Sequence, residues 1–223
     1  MDAQSPDTEI LELRSRIEAT YAAEPARARL YAFYNRIEEV LSRGKAKEIC
    51  GSRYSRDLCQ CCEFGDGEQD SMFTGILPWE MSWLKTKKSA FKTEDKFAIH
   101  DTGLGLVCTA CEAACQMKPV DCAMYPYAFA NYTGFTVDIM FSGKCSMEGD
   151  PAAKEAHIGH QSPNLADLVE LMVEFDARIL DLLCRYTPYY QKFERIQTYV
   201  LAGGALPGHS TTVRSGRRKA KAL

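Results

Sequence analysis

Apolar positions recur at helical spacing near both ends of the chain and at strand spacing in the middle. From Asp7 to Ala23 the residues Ile10, Leu13, Ile17 and Tyr21 share one face with charges between them, which predicts an amphipathic helix. Pro25 suits the first turn of a second helix running through Leu41, with Leu30, Phe33, Tyr34, Ile37 and Leu41 as its stripe and Gly44 as its stop. Both stripes are expected to pack against the rest of the molecule. Pro78 to Lys88 predicts a short helix begun by its proline. Phe97 to His100 and Leu104 to Val107 flank Asp101-Thr102-Gly103, a hairpin pattern that delivers the chain to Cys108. Phe135, Val137, Ile139 and Phe141 alternate with smaller or polar residues and predict a half-buried strand ending near Gly143.

Asn164 to Tyr186 carries Leu168, Leu171, Met172, Phe175, Ile179, Leu182 and Leu183 and predicts a strong helix, with Pro163 and Asn164 at its start and Pro188 past its end. A further helix is expected from Tyr189 to Leu201. The fold class is therefore α+β and helix-rich: terminal helices around a small irregular, cysteine-rich, metal-binding centre with short β-hairpins. A single domain is expected over 1–202, with N-terminal helices at 1–48, the cysteine-cluster region at 49–150 and C-terminal helices at 151–202. Residues 203–223 hold Arg214, Arg217, Arg218, Lys219 and Lys221 and no acid, which predicts a disordered, basic, solubilising tail.

Composition narrows the function classes. A net charge of −3 gives no general attraction to nucleic acid or to an anionic membrane, so any nucleic-acid role is confined to a weak one for the basic tail. Met1 to Ile10 carries Asp2, Asp7 and Glu9 and does not read as a secretory signal. No stretch approaches the roughly 18–20 apolar residues that a membrane span requires. A cytoplasmic protein is expected.

Ten cysteines change the picture. Nine of them, Cys50, Cys59, Cys61, Cys62, Cys108, Cys111, Cys115, Cys122 and Cys145, fall within fewer than half of the residues. Disulfide frameworks belong to oxidising compartments and to small domains without a core, whereas clustered cysteines in a reducing compartment are more often metal ligands. Cys108, Cys111 and Cys115 are spaced i, i+3 and i+7, which on a helix puts them within about 60° of one another. Pro119 must end or bend such a helix, and the chain can then return Cys122 to the same thiols. Cys59-Gln60-Cys61-Cys62 supplies ligands from a second loop, and Cys145 a late one after the strand. Adjacent Cys61 and Cys62 point to opposite faces of an extended chain, so they serve two sites or only one of them binds. Cys50 reads equally as ligand or as packed thiol. Cys184 sits in the apolar register of its helix and reads as an inert buried thiol.

Sulfur-only ligation suits an iron–sulfur cluster better than catalytic zinc, which usually includes histidine and an open position. His157 and His160 have the spacing of a ligand pair, but two histidines in a polar loop are more often exposed, and that is what is expected of them. Gly103-Leu104-Gly105 lacks the third glycine of a dinucleotide loop, and no CxxxCxxC, GxSxG or HExxH pattern is present. Glu63, Glu112 and Asp121 neighbour the cysteines and read either as tuning groups or as surface carboxylates. Tyr125 and Tyr127 are expected to pack over the metal centre and restrict water.

Cys59-x-Cys61-Cys62, Ile76-Leu77-Pro78-Trp79-Glu80-x-x-Trp83-Leu84, Cys108 with Cys111, and Lys118-Pro119-x-x-Cys122-x-x-Tyr125-Pro126-Tyr127 together resemble the YkgJ-type cysteine-cluster family. The resemblance covers Cys59 to Cys145 and implies a zinc- or iron-chelating domain. Two departures stand: the spacing before the paired cysteines is tighter than in the family, and Cys115 is an additional thiol. The expected ligands are Cys59, Cys61, Cys62, Cys108, Cys111, Cys115, Cys122 and Cys145. The expected function is that of an iron protein holding an iron–sulfur cluster. The alternatives are a structural zinc scaffold, or a protein-modifying or redox enzyme that depends on the metal.

Overall fold

The computed structural model describes residues 6–43, 73–87, 97–99, 104–108, 119–143, 146–189 and 193–201. Helix α1 spans Pro6–Thr20 and α2 spans Glu24–Ser42, with Pro25 in the first turn of α2 where its missing N–H costs nothing. The predicted stripes are buried, except that Val40 rather than Leu41 takes the last inward place on α2. Strand β1 spans Phe73–Gly75, α3 Glu80–Lys87, β2 Phe97–Ile99 and β3 Gly105–Cys108. The three strands form an antiparallel sheet in the order β1-β3-β2, so the two arms of the expected hairpin pair, Ile99 opposite Leu106, while its turn lies outside the described residues. Next come α4 (Val120–Met124), β4 (Tyr127–Ala130) and β5 (Thr136–Ser142), then a 3₁₀ turn over Ser146–Gly149. Helix α5 spans Pro151–Tyr186, a second 3₁₀ turn covers Thr187–Tyr189, and β6 spans Phe193–Val200. The second sheet is also antiparallel, in the order β4-β5-β6. The architecture is α+β and helix-rich, with short antiparallel strands.

Two expectations about the C-terminal third are corrected. Helix α5 begins at Pro151 rather than at Asn164; Asp150 caps it by accepting from Ala153 N at 3.0 Å. Pro163 and Gly159, one turn before it, both lie on the exposed face, where a helix tolerates the loss of the hydrogen bond that proline cannot donate. The break lies instead at Asp176, where the backbone is extended (φ −166°, ψ 100°). The Asp176 carboxylate accepts from Arg178 N at 3.1 Å, so it caps the segment that follows. The residues after Tyr189 form β6 and not a helix. Ile139 pairs with Gln197 and the next residue, Met140, with Arg195, so Ile196 is an extra residue in the strand. The half-buried Phe193, Ile196 and Tyr199 are also three apart, a period that imitates a helix.

Aromatic stacking joins the helices. Phe175 of α5 stacks on Phe33 of α2 at 4.2 Å between centroids and on Tyr21 at 5.6 Å. The Tyr21 hydroxyl donates to Asp176 Oδ2 at 3.1 Å. Leu77, Trp83 and Leu84, together with Val120 and Met124 of α4, join the same core cluster as α1, α2 and α5. Among the described residues no helix is long and apolar enough to cross a membrane.

Candidate functional site

Between β1 and α3 the chain runs through Ile76, Leu77 and Pro78 without regular structure, and every backbone polar group in such a stretch needs a partner once it is buried. Side chains provide them. Gly75 N donates to Asp121 Oδ2 at 2.7 Å, and Leu77 N donates to Glu80 Oε2 at 2.9 Å. The carbonyl of Ile76 accepts from the Tyr186 hydroxyl at 2.9 Å, and that of Pro78 accepts from the Tyr34 hydroxyl at 2.6 Å. Glu80 also reaches the start of α4, where Oε1 accepts from Val120 N at 2.5 Å. Helix α4 has no side-chain cap of its own at Pro119, so Glu80, forty positions earlier, does that work.

Glu80 is wholly buried. Burial pushes its carboxyl up to about 7 against the pull of the two N–H donors, and the neighbouring Asp121 adds to the rise. Burial also holds the Tyr34 and Tyr186 phenols well above their ordinary range, so both remain O–H donors. Trp79 takes a left-handed backbone (φ 60°), uncommon for a bulky side chain. Its indole N–H donates to Glu18 O at 3.0 Å, and the Arg27 guanidinium lies 4.9 Å from its ring centre. Trp83 donates to Asn35 Oδ1 at 3.1 Å. The Ile76–Leu84 motif thus fastens the strap between β1 and α3 to the helical body.

A second buried polar contact lies beyond α4. The Tyr127 hydroxyl and His157 Nδ1 are 2.6 Å apart, with the two rings stacked at 5.5 Å. His157 is 1% exposed, which corrects its expected place in a polar loop: it lies on the inner face of α5 in register with Ala153, Gln161 and Leu165. Burial pulls its imidazole down to about 4, so the ring is neutral near pH 7. His160 is exposed, as expected, although on the helix. Tyr127 packs into the core against Phe141 and His157, and the Tyr125 hydroxyl donates to Ser142 Oγ at 3.2 Å. Asp121, which reads from the sequence either as a tuning group or as a surface carboxylate, is buried, 8% exposed.

Of the expected ligands, the described residues include Cys108 and Cys122, each by its backbone. Cys108 is the last residue of β3, paired with Phe97 of β2, so the i, i+3, i+7 helical register does not begin there; the strand pairing claims it. Cys122 is in the middle of α4, directly after Asp121. Cys59, Cys61, Cys62, Cys111, Cys115 and Cys145 lie outside the described residues, as do Cys50, Glu63, Glu112 and the 203–223 tail. Cys184 is buried and free, its thiol pushed up to about 12 chiefly by burial, as suits an inert core residue. Among the described residues no group of three or more His, Cys, Asp or Glu is arranged to hold a metal ion.

Glu80 is the residue to which the sequence alone assigned no role. Its signal was a lone carboxylate in the apolar run Ile76-Leu77-Pro78-Trp79-Glu80-Met81, a position that buries a charge unless backbone donors meet it. His157 was signalled by the continuation of the α5 stripe upstream of Pro163. Compared with known protein families, curated proteins and solved structures, the chain matches none.

Proposed function

We propose that this chain is a metal-binding protein that holds iron, as an iron–sulfur cluster, on the thiolates of Cys59, Cys61, Cys62, Cys108, Cys111, Cys115, Cys122 and Cys145. The observation that carries the reading is the convergence of the backbone at the borders of the cysteine segments. Strands β1 and β3 are antiparallel, with Phe73 opposite Val107. The chain therefore arrives from the Cys59–Cys62 segment beside the point where it departs through Cys108 toward Cys111 and Cys115. Helix α4, carrying Cys122, is bonded to that same sheet through Asp121 and Gly75. The end of β5 pairs with the start of β4, Phe141 opposite Tyr127, so the chain sets out toward Cys145 close to the end of α4. Cys111 and Cys145 each lie three residues past a described strand end, a reach of about 10 Å.

The donor set fits the group. Thiolates from separate loops are what an iron–sulfur cluster takes as ligands, and a cluster so held supplies one-electron chemistry. A structural zinc site is the second reading. What favours it is that Glu80, Asp121, Tyr34 and Tyr186 all hold backbone, an arrangement suited to a closed four-thiolate site. Both readings belong to a reducing compartment.

Anaerobic purification separates them. The expected result is a brown protein with iron and acid-labile sulfide in equal amounts, both reduced in Cys108→Ser and Cys122→Ser. Colourless protein with stoichiometric zinc establishes the scaffold instead. Protein with neither metal ends both readings.

A further inference from the structure

The strap around Ile76–Pro78 and the short helix α4 contribute little secondary structure of their own, yet they are held by two buried carboxylates and two buried phenols. Burying carboxylates is costly, and apolar packing alone would immobilise a loop at lower cost. What two carboxylates add is direction. Glu80 accepts at one oxygen from the strap and at the other from Val120, while Asp121 accepts from Gly75. Two of these bonds reach the residues immediately before Cys122, one through the backbone N–H of Val120 and one through the side chain of Asp121. Those two join segments 40 and 46 positions apart in the chain, and the third, from Leu77 N, ties Glu80 to the strap beside it.

We infer that Glu80 and Asp121 are positioning residues for the thiolate centre: their carboxylates set the orientation of α4 against β1, so that Cys122 is presented in one geometry. The inference rests on the reading of Cys122 as a ligand. Outer-shell groups that orient ligands commonly change metal affinity by about 10- to 100-fold when removed. A ligand held by fixed backbone on its N-terminal side loses that advantage when the backbone is released. Asp121 further ties Cys122 to the strand beside β3, whose last residue is Cys108, and so couples two of the proposed ligands through one hydrogen bond.

The test compares metal release from the full chain, purified anaerobically with its metal, into an excess of chelator. Glu80→Gln keeps the shape but turns one acceptor into a donor, which then faces a backbone N–H. Asp121→Asn keeps an acceptor but loses the charge that strengthens the bond to Gly75 N. Leu168→Ala, in the core of α5, serves as a destabilised control, and Cys122→Ser reports on the ligand itself. The expected result is release roughly 10- to 100-fold faster in Glu80→Gln, a smaller acceleration in Asp121→Asn, and an altered visible spectrum in both. Leu168→Ala should release at the wild-type rate despite a comparable loss of thermal stability. Release at the wild-type rate from both carboxylate variants overturns the inference and leaves the metal reading intact. So does equal acceleration in Leu168→Ala, which would make the effect one of stability alone. If Glu80→Gln fails to fold, Asp121→Asn decides by the same comparison. Full metal content in Cys122→Ser instead removes the premise, and a wild-type chain without metal removes the proposed function as well.

Discussion

Two buried polar contacts lie on either side of α4, and they are built differently. At Glu80 and Asp121, carboxyl acceptors meet backbone donors from an irregular strap and from a helix start with no cap of its own. At Tyr127 and His157, one neutral side chain meets another across the packing of β4 on α5. The difference follows from what each region lacks. Strand β4 pairs with β5 and α5 is helical, so their backbones are largely satisfied and the two side chains are free to meet each other. The strap has no ladder, so side chains must complete it. A carboxylate suits that task because it accepts at both oxygens at once, which no neutral side chain of its size does as well.

The comparison breaks most sharply at Glu80. Glu80→Ala leaves Leu77 N–H and Val120 N–H buried without an acceptor, at about 1–3 kcal/mol each, or roughly 2–6 kcal/mol together. Urea denaturation at pH 7 should read a loss in that range. A loss under about 1 kcal/mol would mean that the strap finds other partners and that the carboxylate is not what holds it. A smaller effect is expected at Gly75. A Cβ there would lie 2.1 Å from Tyr186 Cδ2, and the ring cannot retreat freely because its hydroxyl is bonded to Ile76 O. Gly75→Ala should therefore cost about 1–3 kcal/mol through overpacking, measured as a lowered thermal midpoint. An unchanged midpoint would show that the strap and α5 can separate without penalty.

These bonds also mark where the amino-acid sequence was readable. The stripes of α1 and α2 and the strand β5 follow from periodicity, because apolar residues on one face of each are buried, whereas α3 follows from the proline before it and the pairing of β2 with β3 from the turn residues between them. Periodicity failed in two places, each for a local reason. Pro163 reads as a helix start, yet it lies on the exposed face of α5, where the helix runs through it. In β6 the half-buried Phe193, Ile196 and Tyr199 fall three apart, which reads as helix although the segment pairs with β5. The roles of Glu80 and Asp121 were not legible because their partners are backbone groups 40 and 46 positions away, and backbone carries no sequence signal. The cysteine spacing identified candidate ligands, but the strand pairing of Cys108 depends on Phe97, which no spacing rule includes.

The smallest expected change is in the wild-type protein, and it follows from the same comparison. Glu80 is raised from an ordinary 4.5 to about 7 in the fold, so its neutral form is favoured there. Its contribution to stability is complete below pH 4.5 and is lost as pH rises through about 7. His157 is lowered from 6.5 to about 4, so it also prefers to be neutral, but with the opposite sign: its contribution is complete above pH 6.5 and is lost as pH falls through about 4. Between pH 4.5 and 6.5 each group changes stability by one proton's worth, about 1.4 kcal/mol per pH unit, in opposing directions. The stability of the wild-type chain should therefore be nearly flat across that window. Glu80→Gln leaves only the histidine, so stability should climb with pH there; His157→Gln leaves only the carboxylate, so it should decline. Urea midpoints at three pH values within the window measure all three slopes. Parallel slopes in the two variants would show that one of the buried groups is not held neutral by the fold, and the symmetry drawn between the two contacts would fail at that group.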